Sequence, residues 1–186
     1  MPKVFFLIVI ALLIVIFITI NNVSAGDSDN YEYITELDLY LDDFIALSSY
    51  YSWLDSNRYR LIYKYSKVHD VSPKLVCAVI NVESSGKNVI SRKNSNGTRD
   101  YGIMQINDTH LESSFFESKN DLLDVEKNIA FGCRYLGLCS VKATKNNVVS
   151  YTDVIRLYNQ GINGNREYYK NYNYVLKVYN NYIETL

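Results

Sequence analysis

The stretch Val76–Asn107, VCAVINVESSGKNVISRKNSNGTRDYGIMQIN, decides how the rest of the chain is read. An apolar run ends in one acid, Glu83, a polar run rich in Asn and Ser follows, and a second acid, Asp100, stands 17 positions after the first. Just upstream, Ser72 suits an N-cap and Pro73 the first helical position, while Gly86 follows the end, so the pattern predicts a helix from Pro73 to just short of Gly86. On that helix Glu83 comes four and eight residues after Val79 and Leu75, which extends an apolar face. It also falls in the last turn, where the helix dipole is negative.

Desolvation and that dipole both disfavour a carboxylate, so both raise the pKa of Glu83. A carboxyl that stays protonated near neutral pH can protonate the leaving oxygen of a glycosidic bond. The same spacing fits a helix-end Glu in ordinary solvent, and spacing alone does not separate the two. For Asp100 two readings stand: a second carboxylate in the same site, or a loop residue that caps the turn into YGIMQ.

Working outward, the chain has 186 residues, 48% hydrophobic and 14% aromatic, enough for one real core. Compositional bias accounts for its 18 tyrosines as readily as sugar stacking does. MPK followed by the apolar run Val4–Ile20 and by Val23-Ser24-Ala25 reads as a signal peptide or membrane anchor over residues 1–25. The body of the protein is therefore expected to be exported, to the periplasm or cell envelope or beyond. Between Asp27 and Asn57 stand eight acids and no Lys or Arg, whereas residues 58–186 carry 12 acids against 18 bases. That asymmetry fits a solvated acidic extension over 26–57 before a basic domain, 58–186, and charge alone does not separate an ordinary basic domain from one drawn to an anionic polymer such as cell-wall glycan. Membrane contact is expected only through the N-terminal segment, and nothing points to nucleic acid.

Leu37, Leu41, Phe44, Ile45 and Leu47 give the acidic segment an apolar stripe and predict an amphipathic helix. Further helices are expected at NRYRLIYKYSKVHD, at DVEKNIAFGCRYLGL, at VVSYTDVIRLYNQG and from about Glu167 to Ile183, with the polar loop SRKNSNGTRD as a short hairpin. The fold class is mostly α. Cys133 and Cys139 would lie roughly 9 Å apart along one continuous helix, beyond disulfide reach, so a bridge needs the helix to end near Gly137. Cys77 reads as a small buried hydrophobe. His69 and His110 are assigned no chemistry and build no metal site. Asn128, Ile129 and Tyr135 are read as helix packing.

The motifs SPKLVCAVINVESSG, YGIMQIN, NIAFGCRYL, LYNQG and YVLKVYNNY occur in the order seen in the soluble lytic transglycosylase (SLT) family of the lysozyme superfamily, which the chain resembles from about Arg58 to Tyr182. The resemblance implies a lysozyme-like helical domain, preceded here by the extra acidic helix. It implies that Glu83 is the catalytic acid, that Ser84 supports it, and that Gly102, Met104 and Gln105 line the sugar groove. It further implies that Tyr158 and Asn159 face Glu83 across the cleft and that Tyr174 is the family's late tyrosine near the reacting sugar. No cofactor and no metal are implied. Leu157 and Gln160 replace the alanines usual around YN, which leaves the packing of that wall open.

The stretch Val76–Asn107 is also similar to the active-site half of the animal-type lysozymes and to the small muramidases that accompany bacterial secretion and conjugation machines. The first likeness stops near Asn107, and that family's eight-cysteine framework is absent, so the bacterial branch sets the expected fold. Three functions follow. A lytic transglycosylase would cleave peptidoglycan strands at the MurNAc-GlcNAc bond with Glu83 alone, leaving 1,6-anhydro ends. A muramidase would hydrolyse the same bond with Glu83 and Asp100. A non-catalytic wall-binding or secretion-apparatus scaffold is disfavoured by the intact Glu83, Gln105, Tyr158 and Asn159. The expected partners are glycan strands and a secretion or conjugation apparatus.

Overall fold

The structure, a computed structural model, describes residues 28–112, 115–145, 148–163 and 172–185. The segment read as signal peptide or anchor lies outside the described residues, as does the start of the last expected helix near Glu167. No described helix is long and apolar enough to cross a membrane.

Two compact units divide the chain, Met1–Asp42 and Asp43–Leu186. The described part of the first is the opening of helix α1, Ser28–Tyr50, where Leu39 is exposed. The second unit begins inside α1, upstream of the boundary expected after Asn57. From Asp43 on, the acidic segment belongs to the body: Leu47 is fully buried, Tyr51 and Leu54 nearly so, and Asp43 pairs with Lys74 at 3.4 Å. Ile45, expected on the apolar stripe, is exposed instead.

Five later helices stand at or near the stretches expected for them. Helix α2, Ser56–Val68, starts where the Asp55 side chain accepts from Arg58 N at 2.9 Å. Helix α3, Pro73–Ser84, has Pro in its first turn and ends at Ser85 and Gly86, both at positive φ. Ser72 occupies the N-cap without a side-chain bond to the helix. Helix α4, Val125–Ala143, is capped by Asp124, whose carboxylate accepts from Lys127 N at 2.8 Å. Helix α5 is Tyr151–Gln160, and α6 is Tyr172–Ile183. Because α4 runs unbroken through Gly137, Cys133 and Cys139 stay apart, and all three cysteines are free and buried.

Helix α3 is the centre of the body. Leu75 to Ile80 are all fully buried, which is how a helix apolar on every side behaves when others enclose it. Helix α6 packs on α3, and α4 packs on both α2 and α5. Only the last turn of α3 emerges from this core, and Glu83 lies in it.

Strands are more numerous than the sequence suggested. Val89–Ile90 (β1), Asp100–Gly102 (β2) and Ile106–Asn107 (β3) form an antiparallel sheet in the order β1-β2-β3, with Tyr101 opposite both Ile90 and Ile106. The polar run 91–99 is the loop between β1 and β2, closed by Asn94 N donating to Thr98 O and Gly97 N to Asn94 O. A second hairpin pairs Thr144–Lys145 (β4) with Val148–Val149 (β5), in place of the helical turn expected at VVS. The two β-branched valines favour extended backbone, and Ser150 caps the helix only after them.

Candidate active site

A cleft of about 650 Å³ runs between the β1–β2–β3 hairpins on one side and α4, α5 and the residues after α5 on the other. Glu83 and Asp100 both line it. Glu83 reaches it because α3 stops one residue later, its chain turned away by the left-handed Ser85 and Gly86. Burial against the core pushes the Glu83 carboxyl up from an ordinary 4.5 to about 7. Two neighbours act in opposite senses. The Tyr174 hydroxyl donates to Glu83 Oε1 at 2.5 Å and favours the ionised form, while the charge of Asp100 favours the protonated one.

Asp100 is a strand residue, so the expected turn-capping role does not apply: its side chain is held by other side chains rather than by a turn's backbone. Asn107 Nδ2 donates to Oδ1 at 2.7 Å, and Asn94 Nδ2 donates to Oδ2 at 3.1 Å. Both amides also donate to the Thr98 hydroxyl, which itself donates to Asn96 at 2.8 Å. Asn94, Asn96 and Asn107 all line the cleft, and none was singled out in the sequence. Their signal was there in a polar loop preceding Asp100, but only strand pairing brings Asn107 opposite it.

The groove residues named from the resemblance fall into two sets. Gln105, Tyr158 and Asn159 line the cleft. Gln105 has the left-handed φ of 50°, and its Nε2 donates to Gly102 O at 2.8 Å and Val89 O at 3.0 Å, which holds that costly conformation in place. Tyr158 is nearly buried, its hydroxyl donating to Met104 O at 2.9 Å, and burial with the nearby Glu83 charge raises its pKa well above the ordinary value. Gly102 and Met104 lie behind the cleft wall instead. Met104 is fully buried, and Gly102, at φ 80°, packs so closely that a Cβ would stand 2.2 Å from Asn128 Nδ2. Ser84 also works from behind, donating to Ile103 O at 2.7 Å and tying the end of α3 to the loop after β2. Tyr174 is reached through its bond to Glu83.

Two residues read as bystanders take part in the cleft. Tyr135, expected as helix packing, lines it and accepts from Ile162 N at 2.8 Å. His110 lines it too, with its ring 4.9 Å from Phe131 and 5.3 Å from Tyr135, and burial holds its pKa below the usual value. Asn128, by contrast, is packing of a specific kind: it accepts from Met104 N and donates to Tyr101 O and Leu122 O, all within 2.9 Å. Of the two departures from the usual alanines, Leu157 enters the core and Gln160 the cleft wall. Among the described residues no three His, Cys, Asp or Glu side chains converge to hold a metal.

A helical domain with a half-buried acid at the end of its central helix, facing a polar and aromatic cleft, has the architecture of a lysozyme-like domain. The chain belongs to the transglycosylase SLT domain family, whose profile matches residues 60–180. No curated protein matches it. The protein is thus an enzyme of the lytic transglycosylase type with peptidoglycan as its substrate, and the reading of the chain as a bare scaffold gives way.

Proposed function

We propose that the protein cleaves the β-1,4 bond between N-acetylmuramic acid and N-acetylglucosamine with Glu83 as the single acid and base. Protonated Glu83 gives its proton to the glycosidic oxygen, and the bond to the anomeric carbon breaks. The sugar's own 6-hydroxyl then attacks that carbon and returns its proton to the Glu83 carboxylate, leaving a 1,6-anhydro end. The observation that supports this reading is the Glu83 pKa of about 7, which suits a group that must both give and take a proton near neutrality.

A second reading, hydrolysis by water with Asp100 as nucleophile or electrostatic partner, is favoured by the Asn94 and Asn107 bonds that fix Asp100 in the same cleft. Digestion of purified peptidoglycan in ¹⁸O-water separates the two. Products without the label support the 6-hydroxyl route, and labelled reducing ends support hydrolysis. Export through the segment 1–25, and service to a secretion or conjugation apparatus, complete the proposal. Cell fractionation tests the first, and the second fails if deleting the gene leaves assembly of every such apparatus unchanged.

A further inference from the structure

Trp53 lies upstream of the family match, on the link between α1 and α2, yet it touches the end of the helix that carries Glu83. Its indole covers Gly86 so closely that a Cβ there would stand 2.3 Å from Cγ. Its Nε1 donates to Asn81 Oδ1 at 3.1 Å, two residues before Glu83. Asn81 Nδ2 in turn donates to Asn181 Oδ1 on α6 at 2.7 Å. Asn181 is itself held, donating to Lys177 O at 2.8 Å, with its own carbonyl accepting from the Tyr51 hydroxyl at 3.2 Å.

The chemistry of these groups gives the relay a direction. An indole N–H can only donate, so Asn81 must turn its oxygen toward Trp53 and its NH₂ toward Asn181. Asn181 and Tyr174 stand seven residues apart on α6, about two turns, and share the face that buries Val178 against the body. Helices α3 and α6 are therefore pinned at two points, Asn81 to Asn181 and Glu83 to Tyr174.

We infer that Trp53 is a positioning residue for the catalytic proton: by fixing which way the Asn81 amide faces, it sets the seating of α6 and with it the Tyr174–Glu83 hydrogen bond. The inference rests on the reading of Glu83 as the acid. Three groups bear on Glu83: Asp100 from β2, Tyr158 from α5 and Tyr174 from α6. Only the last hangs on the relay. The Tyr174 bond stabilises the ionised carboxylate, so loosening it strengthens the hold of Glu83 on its proton.

The test uses the full chain with Trp53→Phe, which keeps a ring on Gly86 but removes the N–H, and separately Asn181→Ala, so that the question survives if either variant fails to fold. Two readouts are taken: the alkaline limb of kcat/KM on peptidoglycan, and the ¹³C titration of the Glu83 carboxyl. Both are expected to move upward by roughly half a pH unit, with kcat reduced severalfold and KM little changed. Made on a Tyr174→Phe background, neither substitution should move the titration further. An unmoved Glu83 titration in the folded variants, or an equal shift on the Tyr174→Phe background, overturns the inference. A wild-type chain that releases no glycan fragments would instead end the reading of Glu83 as the acid, and the titration would still decide the positioning.

Discussion

Under the proposed function Glu83 is two things at once, a proton donor at neutral pH and a group that the fold can bear to ionise. A carboxyl moved from 4.5 to about 7 by burial costs the folded state on the order of 3 kcal/mol when it is ionised. The native state holds the proton over that interval and the unfolded chain does not, so this contribution is absent below about pH 4.5 and grows as pH rises through about 7. Glu83→Gln removes it. The variant is expected to melt close to the wild type at pH 5 and above it at pH 8, while glycan release falls by roughly two to four orders of magnitude. Thermal melts across pH check the first part, and a variant that melts lower at pH 8 would refute it. Asp100→Asn removes a charge that raises the Glu83 pKa, so its alkaline limb should move to lower pH, and Tyr174→Phe should move it the other way. The pH dependence of kcat/KM reads both. Glu83 was legible in the sequence through the motifs around it, since its four- and eight-residue spacing to Val79 and Leu75 fits a solvent-facing helix end equally well. Asn107 and His110 were not, since one depends on strand register and the other on how the short 3-10 turn Asp108–Glu112 after β3 meets the cleft.

The elements around the cleft are fixed by a few buried polar contacts. Asn128 of α4 satisfies the Met104 N–H and the Tyr101 and Leu122 carbonyls, and so holds both the sheet and the loop after it. Asn128→Ala strands three backbone groups and should cost about 3 kcal/mol or more, read as a lower midpoint in urea. Gly102→Ala combines a positive φ with a Cβ pushed into Asn128 and the Leu122 carbonyl, so a loss of at least about 2 kcal/mol is expected in the same assay. A midpoint shift of only a few tenths would mean that this corner yields easily. The boundaries of α3 were readable because Pro73 and Gly86 mark them, whereas the caps at Asp55 and Asp124 show only in the structure. The two-residue strands were not readable, because they are too short to show an alternating pattern and exist only through their partners.

For the molecule as a whole, the acidic segment divides in a way that charge could not reveal. The absence of Lys and Arg runs from Asp27 to Asn57, yet burial of Leu47, Tyr51 and Leu54 makes the part from Asp43 on a piece of the enzyme body. Deleting residues 43–57 should therefore lower the melting temperature of the domain by several degrees or prevent its folding, whereas a linker could be lost without effect. The order of the five sequence motifs made the lysozyme-like fold readable: they fall in turn on α3, on β2 and β3, on α4, on the end of α5 and on α6. The choice of nucleophile was not readable, since it depends on how Asp100 is held rather than on its presence. That choice is the centre of the account, and mass spectrometry of the muropeptides released from purified peptidoglycan, with Glu83→Gln as control, tests it most directly. The account predicts fragments one water lighter than hydrolysis products, with anhydro ends, and none from the control; reducing ends would contradict it and bring Asp100 into the chemistry.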